Sequence, residues 1–465
     1  MENSLKFGTS GLRGLASDLT GQAARRYTAA FLRHANGVGQ GGSGRVFIGR
    51  DFRLSSPAIA ADCAAAIAAA GLEPVDCGTV PTPALACHAM ALNGPAIMIT
   101  GSHIPADRNG LKFYLPAGEI SKADEAGIID ALTPEDIIGA AVPMRSEQAE
   151  AQDRYVNRFA ELLPVGALAG LRIGVFEHSS VARDLLADIF EVAGAEVVRL
   201  GRADHFVAVD TEAFGDSVFV PLPGWIEEFG LHALVSADGD GDRPLLMDDK
   251  GAFVRGDVLG LLTAQYLRAT NVVTPVTSNS AIERTGLFDA VVRTRVGSPF
   301  VVAAMDGLVN VVGFEANGGT FVGGGVSSGA VDLPALPTRD AILPLLSVLG
   351  LAARQEVSVD ELVAALPLQH ALADRLQNVP AEKSSSFLRH LQDDPAFAAT
   401  FFAPHGIANL SAIDGLQFRT HSGEMVHFRA SGNAPELRCY VEGSTAASAR
   451  SLLDWAMEAA ARQVA

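Results

Sequence analysis

The sequence predicts an α/β protein of several parallel-sheet modules, closed by an α+β module. Three observations predict it. Short β-branched runs alternate with Ala/Leu-rich runs of helical length, the pattern of βαβ units. A chain of 465 residues has room for about three domains. From Gly406 to Glu442, strand-like pieces follow one another between turns before a single helix, which marks an α+β tail.

Taken in order, Arg45 to Gly49 reads as a buried strand and Asp51 to Ser56 as a polar turn. Pro57 to Ala70 then reads as a helix, with Ser56 as N-cap, Pro57 at the first helical position and Gly71 as terminator. Ala96 to Ile99 is a further apolar strand. The cycle recurs at Leu171–Phe176, followed by the loop Glu177 to Ser180 and a helix from Ala182 to Ala193 stopped by Gly194. His232–Ser236 and Asn310–Phe314 supply further strands. In the tail, Gly415–Thr420, Met425–Arg429 and Leu437–Val441 read as strands and Thr445–Ala461 as the closing helix. Lys383-Ser384-Ser385-Ser386 reads as a local turn or helix cap. Boundaries fall near 149–151, 252–255 and 366–369, which divides the chain into 1–149, 150–253, 254–367 and 368–465.

Composition narrows the function. Lys plus Arg number 35 and Asp plus Glu 53, a formal charge of −18, which argues against a nucleic-acid partner held by its phosphate backbone. Small phosphorylated metabolites stay open, because a local pocket decides their binding. The longest apolar candidate, Ala341 to Ala353, contains Pro344 and Gly350 and is too short for a bilayer, so no membrane role is expected. The N-terminus lacks a basic region followed by an apolar run. Cys63, Cys77, Cys87 and Cys439 form no C-x-x-C pair, so neither a zinc site nor a redox dithiol is expected, and Cys63 reads as a core residue. These features predict a cytoplasmic protein.

Four polar loops carry chemistry. In Thr100-Gly101-Ser102-His103-Ile104-Pro105, a serine follows an apolar strand on a sharp loop, exposed as a nucleophile. Because neighbours in a strand point opposite ways, a simple Ser–His hydrogen-bonded pair is not expected. The same stretch also reads as an ordinary Ser-His-x-Pro turn. In Asp238-Gly239-Asp240-Gly241-Asp242-Arg243, three carboxylates at alternate positions would repel strongly unless a cation lies between them. Oxygen-only donors suit a hard ion, Mg²⁺ before Ca²⁺. An EF-hand is excluded, since Asp249 stands where its closing glutamate belongs and flanking helices are missing. Glu315-Ala316-Asn317-Gly318-Gly319 offers a carboxylate and an amide suited to sugar hydroxyls, or simply a turn ending the strand. Arg429-Ala430-Ser431-Gly432-Asn433-Ala434-Pro435-Glu436-Leu437-Arg438 sets two arginines around a turn that fits an anion nest, or two surface ion pairs. Near the N-terminus, Gly8-Thr9-Ser10-Gly11-Leu12-Arg13 is a Gly/Ser loop ending in an arginine and is no Walker P-loop.

Together and in this order, the five loops resemble those of the α-D-phosphohexomutases, which include phosphomannomutase/phosphoglucomutase and phosphoglucosamine mutase. The resemblance runs from Phe7 to about Glu442. It implies four domains in a heart shape, three related α/β domains and a C-terminal α+β domain. It makes Ser102 the phosphoryl carrier. Ser102, Asp238, Asp240 and Asp242 become the Mg²⁺ ligands. Arg13, His103, Lys112 and Arg243 line the transfer site, with Lys112 as general acid/base candidate. Glu315 and Asn317 read sugar hydroxyls, while Arg429, Ser431, Asn433 and Arg438 bind the idle phosphate. The implied reaction interconverts mannose 1-phosphate and mannose 6-phosphate through a phosphoserine and a hexose 1,6-bisphosphate, which also serves as activator. The implied partners are phosphorylated hexoses, with the chain a monomer or weak dimer. Alternatives are a phosphoglucomutase, a phosphoglucosamine mutase, a hydrolase and a non-catalytic sugar-phosphate binder. The chain departs from the family at Ile104, where Asn is usual, at Asn317, where Ser is usual, and at Gly319 and Ser298, where some members have His. These departures bear on sugar selectivity rather than on phosphoryl transfer.

Overall fold

A computed structural model describes residues 4–8, 11–328, 331–431 and 435–464. The described chain forms two compact units. The first runs to Val273 and includes Phe288–Ala290 and Gly297–Ala365; the second comprises Thr274–Leu287, Val291–Val296 and the residues from Leu366 onward.

In the first unit, strand Ala96–Ile99 lies between Arg45–Arg50, to which it is parallel, and Arg108–Leu115, to which it is antiparallel. All four of its residues are buried, as an unbroken apolar run in a covered sheet should be. Helix Ser56–Ala69 covers this sheet, its Ile59, Cys63 and Ile67 fully enclosed in the core. The helix begins one residue before the predicted Pro57. Ser56 is therefore not its cap, and its hydroxyl donates instead to Asp51 at 2.7 Å. Gly71 ends the segment with φ +78°, a conformation that an L side chain rarely adopts.

A second sheet has parallel strands Glu196–Leu200, Arg172–Phe176 and Ala233–Ala237, edged by antiparallel Pro244–Met247. In a third, Val311–Phe314 runs parallel to Asn271, Val272 and Val273 and antiparallel to Thr320–Val322, which pairs in turn with Leu336–Asp340. The apolar run after Ala341 forms helix Ile342–Gln355, where Pro344 falls in the first turn and needs no N–H partner. No helix among the described residues is long and apolar enough to cross a membrane.

The second unit contains a wholly antiparallel sheet in the order His370–Gln377, Glu436–Gly443, Met425–Ala430, Leu416–Arg419, Asn409–Ser411. Its core forms where Phe418, Phe428 and Val441 meet Leu452, Leu453 and Ala456 of helix Ala446–Val464. The Lys383–Ser386 run is no turn. It lies within helix Ala381–Asp393, which buries Ser384, Phe387 and Leu391 on one face and so recruits the serines by packing rather than by propensity.

One buried group in the turn after strand Arg172–Phe176 makes stability depend on acidity. The Nε2–H of His178 donates to the Ala237 carbonyl at 2.8 Å, while its Nδ1 is buried without a partner beside the Phe176 ring. Burial, aided by Arg183, pushes the His178 pKa down to about 4. The unfolded chain takes up this proton below its ordinary value, whereas the folded chain refuses it until about 4. The contribution is therefore complete above pH ~6.5 and is lost as pH falls toward 4, about 3 kcal/mol in all. Urea midpoints measured at pH 7.5 and 5 should fall more steeply for the native chain than for His178→Gln.

Candidate active site

The loop after strand Ala96–Ile99 presents Ser102 at φ +53°, a left-handed backbone that breaks the strand's alternation. The Ser102 Oγ thereby comes within 3.2 Å of Nδ1 of His103, nearer than strand alternation allows. The contact does not make His103 a base. Arg243 Nη1 donates to the same nitrogen at 3.0 Å. Burial, with Arg243 and Arg13, lowers the His103 pKa to about 2, so the ring is neutral. The serine proton goes elsewhere, to Asp238 Oδ2 at 2.5 Å.

Arg53 holds this loop in shape. Its Nη1 donates to the carbonyls of Pro105 and Arg108 at 2.6 and 2.9 Å, and its Nη2 to those of Ser102 and Ile104 at 3.0 and 2.6 Å. Nε pairs with Asp51 at 3.0 Å, and the Phe206 ring packs 3.8 Å from the guanidinium carbon. Both ionic side chains are fully buried, and a planar fork with five donors suits a task that a lysine could not perform.

The Asp238 loop follows strand Ala233–Ala237 and is locked by its own backbone: Asp238 Oδ1 accepts the amides of Asp242 and Arg243 at 3.1 Å each. Gly239 is needed for close approach, since a Cβ there would lie 2.9 Å from both the Ser102 carbonyl oxygen and the Phe206 ring. Asp238, Asp240 and Asp242 are buried, with one carboxylate oxygen of each within 4.8 Å of the others. Oδ1 atoms of Asp240 and Asp242 are buried without hydrogen-bond partners. Three converging buried carboxylates, two of which carry an unsatisfied oxygen, fit a divalent cation such as Mg²⁺.

Lys112, on strand Arg108–Leu115, places Nζ 2.6 Å from both Asp240 Oδ2 and Asp242 Oδ2. Burial works against its charge, but these two carboxylates outweigh it and raise the pKa. Burial likewise disfavours the Asp240 carboxylate, yet Lys112 and the Thr82 hydroxyl, 2.8 Å away, hold its pKa below the ordinary value. Asp238 moves the other way: burial and its two acidic neighbours push it well up. Arg13, on strand Leu12–Leu15, is pulled down to about 10 by burial and by Arg243.

Glu315 and Asn317 occupy the turn after strand Val311–Phe314, and both are buried. The Glu315 Oε2 accepts from Arg339 Nε at 2.6 Å, whereas Asn317 Oδ1 is used within the turn, accepting the Gly319 amide at 2.9 Å. The first residue of helix Gly256–Tyr266 abuts this turn so closely that a Cβ would lie 2.2 Å from the Gly318 nitrogen.

Ser102, His103, Lys112, Arg13, Arg243, the three aspartates, Glu315 and Asn317 all belong to the first unit. Arg429, Ser431 and Arg438 belong to the second; Asn433 lies outside the described residues, as does Ser10. Arg429 and Arg438 are direct partners on antiparallel strands. Like charges so placed repel one another, and Asp414, 2.8 Å from Arg429, with Glu436, 3.7 Å from Arg438, offsets part of this. Sequence reasoning missed Arg53, Thr82 and Arg339. For Arg53, the spacing Asp51-x-Arg53 just past a strand end was the available signal; Thr82 and Arg339 had none.

Parallel-sheet modules whose strand ends bring together one hydroxyl, three carboxylates and several cations define a phosphoryl-transfer enzyme of the α/β class. Models of the phosphoglucomutase/phosphomannomutase alpha/beta/alpha domains I and III match residues 4–137 and 255–369. The chain is 47% identical to a phosphomannomutase of Sinorhizobium fredii, covering 96% of this chain and 97% of that one. It is 40% identical to a phosphomannomutase of Salmonella muenchen, covering 97% and 95%. A phosphoglucomutase/phosphomannomutase family protein from Burkholderia thailandensis shares the fold with a TM-score of 0.77 at 22% identity, over 97% of this chain and 96% of that chain. The chain belongs to the phosphoglucomutase/phosphomannomutase family, the α-D-phosphohexomutases.

Proposed function

We propose that this isomerase interconverts mannose 1-phosphate and mannose 6-phosphate, with Ser102 as phosphoryl carrier. The observation that carries the reading is the Ser102 hydroxyl, buried and 2.5 Å from Asp238 of the carboxylate triad. The preference for mannose is supported by the 47% and 40% identical phosphomannomutases.

Ser102, Asp238, Asp240 and Asp242 would hold Mg²⁺, which when bound supplies charge neutralisation for the group in transfer. The chain's own residues do the rest. Arg53 fixes the serine's position, which matters because phosphoryl transfer depends on alignment and charge more than on covalent help. Arg243, Arg13 and the Lys112 ammonium offset the phosphate charge, and Lys112 serves as the general acid/base toward the sugar oxygen. Neutral His103 stays an orienting partner of Arg243. Glu315 and Asn317 read the sugar. Arg429, Ser431, Asn433 and Arg438 take the phosphate not in transfer, so a hexose 1,6-bisphosphate serves in either orientation and acts as activator. The domain division 1–149, 150–253, 254–367 and 368–465, a monomeric or weakly dimeric state and a cytoplasmic location complete the proposal.

A coupled assay tests it. With Mg²⁺ and a trace of hexose 1,6-bisphosphate, mannose 1-phosphate should yield mannose 6-phosphate faster than glucose 1-phosphate or glucosamine 1-phosphate is isomerised. Release of inorganic phosphate in place of a hexose 6-phosphate would make the chain a hydrolase.

A further inference from the structure

Arg339 lies on strand Leu336–Asp340 and is 3% exposed, an expensive place for a guanidinium unless it has a task. It touches two loops of the site at once. Nε donates to Glu315 Oε2 at 2.6 Å, and Nη1 stands 3.9 Å from Asp242 Oδ2. Glu315 and Asp242, with Glu119, are the neighbours whose charges most favour its cationic form.

The residue opposite explains how it fits. A Cβ on Gly319 would meet the Cδ and Cγ of Arg339 at 2.7 and 2.8 Å. Gly319 has no left-handed φ, so its lack of a side chain serves space rather than backbone conformation. The arginine stem fills the volume into which any other residue at 319 would project.

From this pair we infer that Arg339 is a specificity-positioning residue: lying over Gly319, it fixes the sugar-reading carboxylate of Glu315 and ties it to the triple-aspartate loop. The inference rests on the reading of Glu315 as a sugar-binding group. Without the guanidinium, Glu315 is a buried carboxylate free to turn, and hydroxyls that differ between epimeric hexoses lose their fixed acceptor. The carbonyls of the Ser102 loop are held by Arg53, so loading of the serine is read separately from sugar discrimination.

The test compares the native enzyme with Arg339→Ala, Arg339→Lys, Gly319→Ala and the Gly319→Ala/Arg339→Ala double variant. Intact mass reports phosphate on Ser102, and steady-state kinetics are run on mannose 1-phosphate and glucose 1-phosphate. Arg339→Ala should raise KM for mannose 1-phosphate about 30-fold and narrow the preference between the two sugars about tenfold, with Ser102 still phosphorylated. Arg339→Lys should recover part of the KM. Gly319→Ala should reproduce the effect in weaker form, and in the double variant it should add almost nothing, since the group it displaces is gone. Equal loss on both sugars, or additive effects at 319 and 339, would overturn the inference and leave Arg339 as a structural residue. A native enzyme inactive on every hexose phosphate would instead overturn the reading of the site itself.

Discussion

Ser102→Ala should purify without the covalent phosphate that the proposed mechanism expects on a fraction of native molecules, and its isomerisation rate should fall by roughly 10⁴-fold or more. The loss is chemical rather than structural. Asp238 keeps the amides of Asp242 and Arg243 on Oδ1 when the hydroxyl on Oδ2 is removed, and the loop keeps Arg53. Thermal melting should therefore move by only a few degrees while turnover vanishes. Mass spectrometry of the intact protein and the coupled assay read the two halves separately. A variant that retained measurable mutase activity would transfer the carrier role to another group.

Arg53→Met is expected to do the opposite: to strike the fold and the rate together. Four backbone carbonyls lose their donor, and Asp51 loses its ionic partner in a fully buried setting. Breaking a buried pair of this kind costs about 3–5 kcal/mol. Displacing the serine by even an ångström costs a further factor of ~10² in rate. Arg53→Lys should rescue little, because one ammonium cannot reach carbonyls on both sides of the loop. Urea denaturation and the rate of the surviving folded fraction distinguish these outcomes from a variant that is merely less stable.

The contrast between these two residues shows what the chain's letters disclose. Ser102 and the triple-aspartate run are legible because their chemistry is local: a hydroxyl after a strand, and carboxylates too close to coexist without compensation. The helix–strand alternation is legible for the same reason, as at Arg45–Arg50 and helix Arg183–Val192. Arg53 and Arg339 act at a distance, the first on carbonyls some fifty positions away, the second on a carboxylate 24 positions earlier, and beyond the Asp51–Arg53 spacing these relations leave no local pattern. The Lys383–Ser386 run misleads because burial of one helix face overrides the turn preference of serine. The Ser102–His103 contact misleads because a single positive φ cancels the rule for extended chain.

Ser102 is 1% exposed. A phosphoryl group mounted there sits where bulk water has little access, and water is the one acceptor always present in excess. On the proposed role of Ser102, enclosure would act as a kinetic safeguard: the charged enzyme would keep its cargo between encounters, and an incoming sugar would outcompete hydrolysis by being admitted rather than by reacting faster.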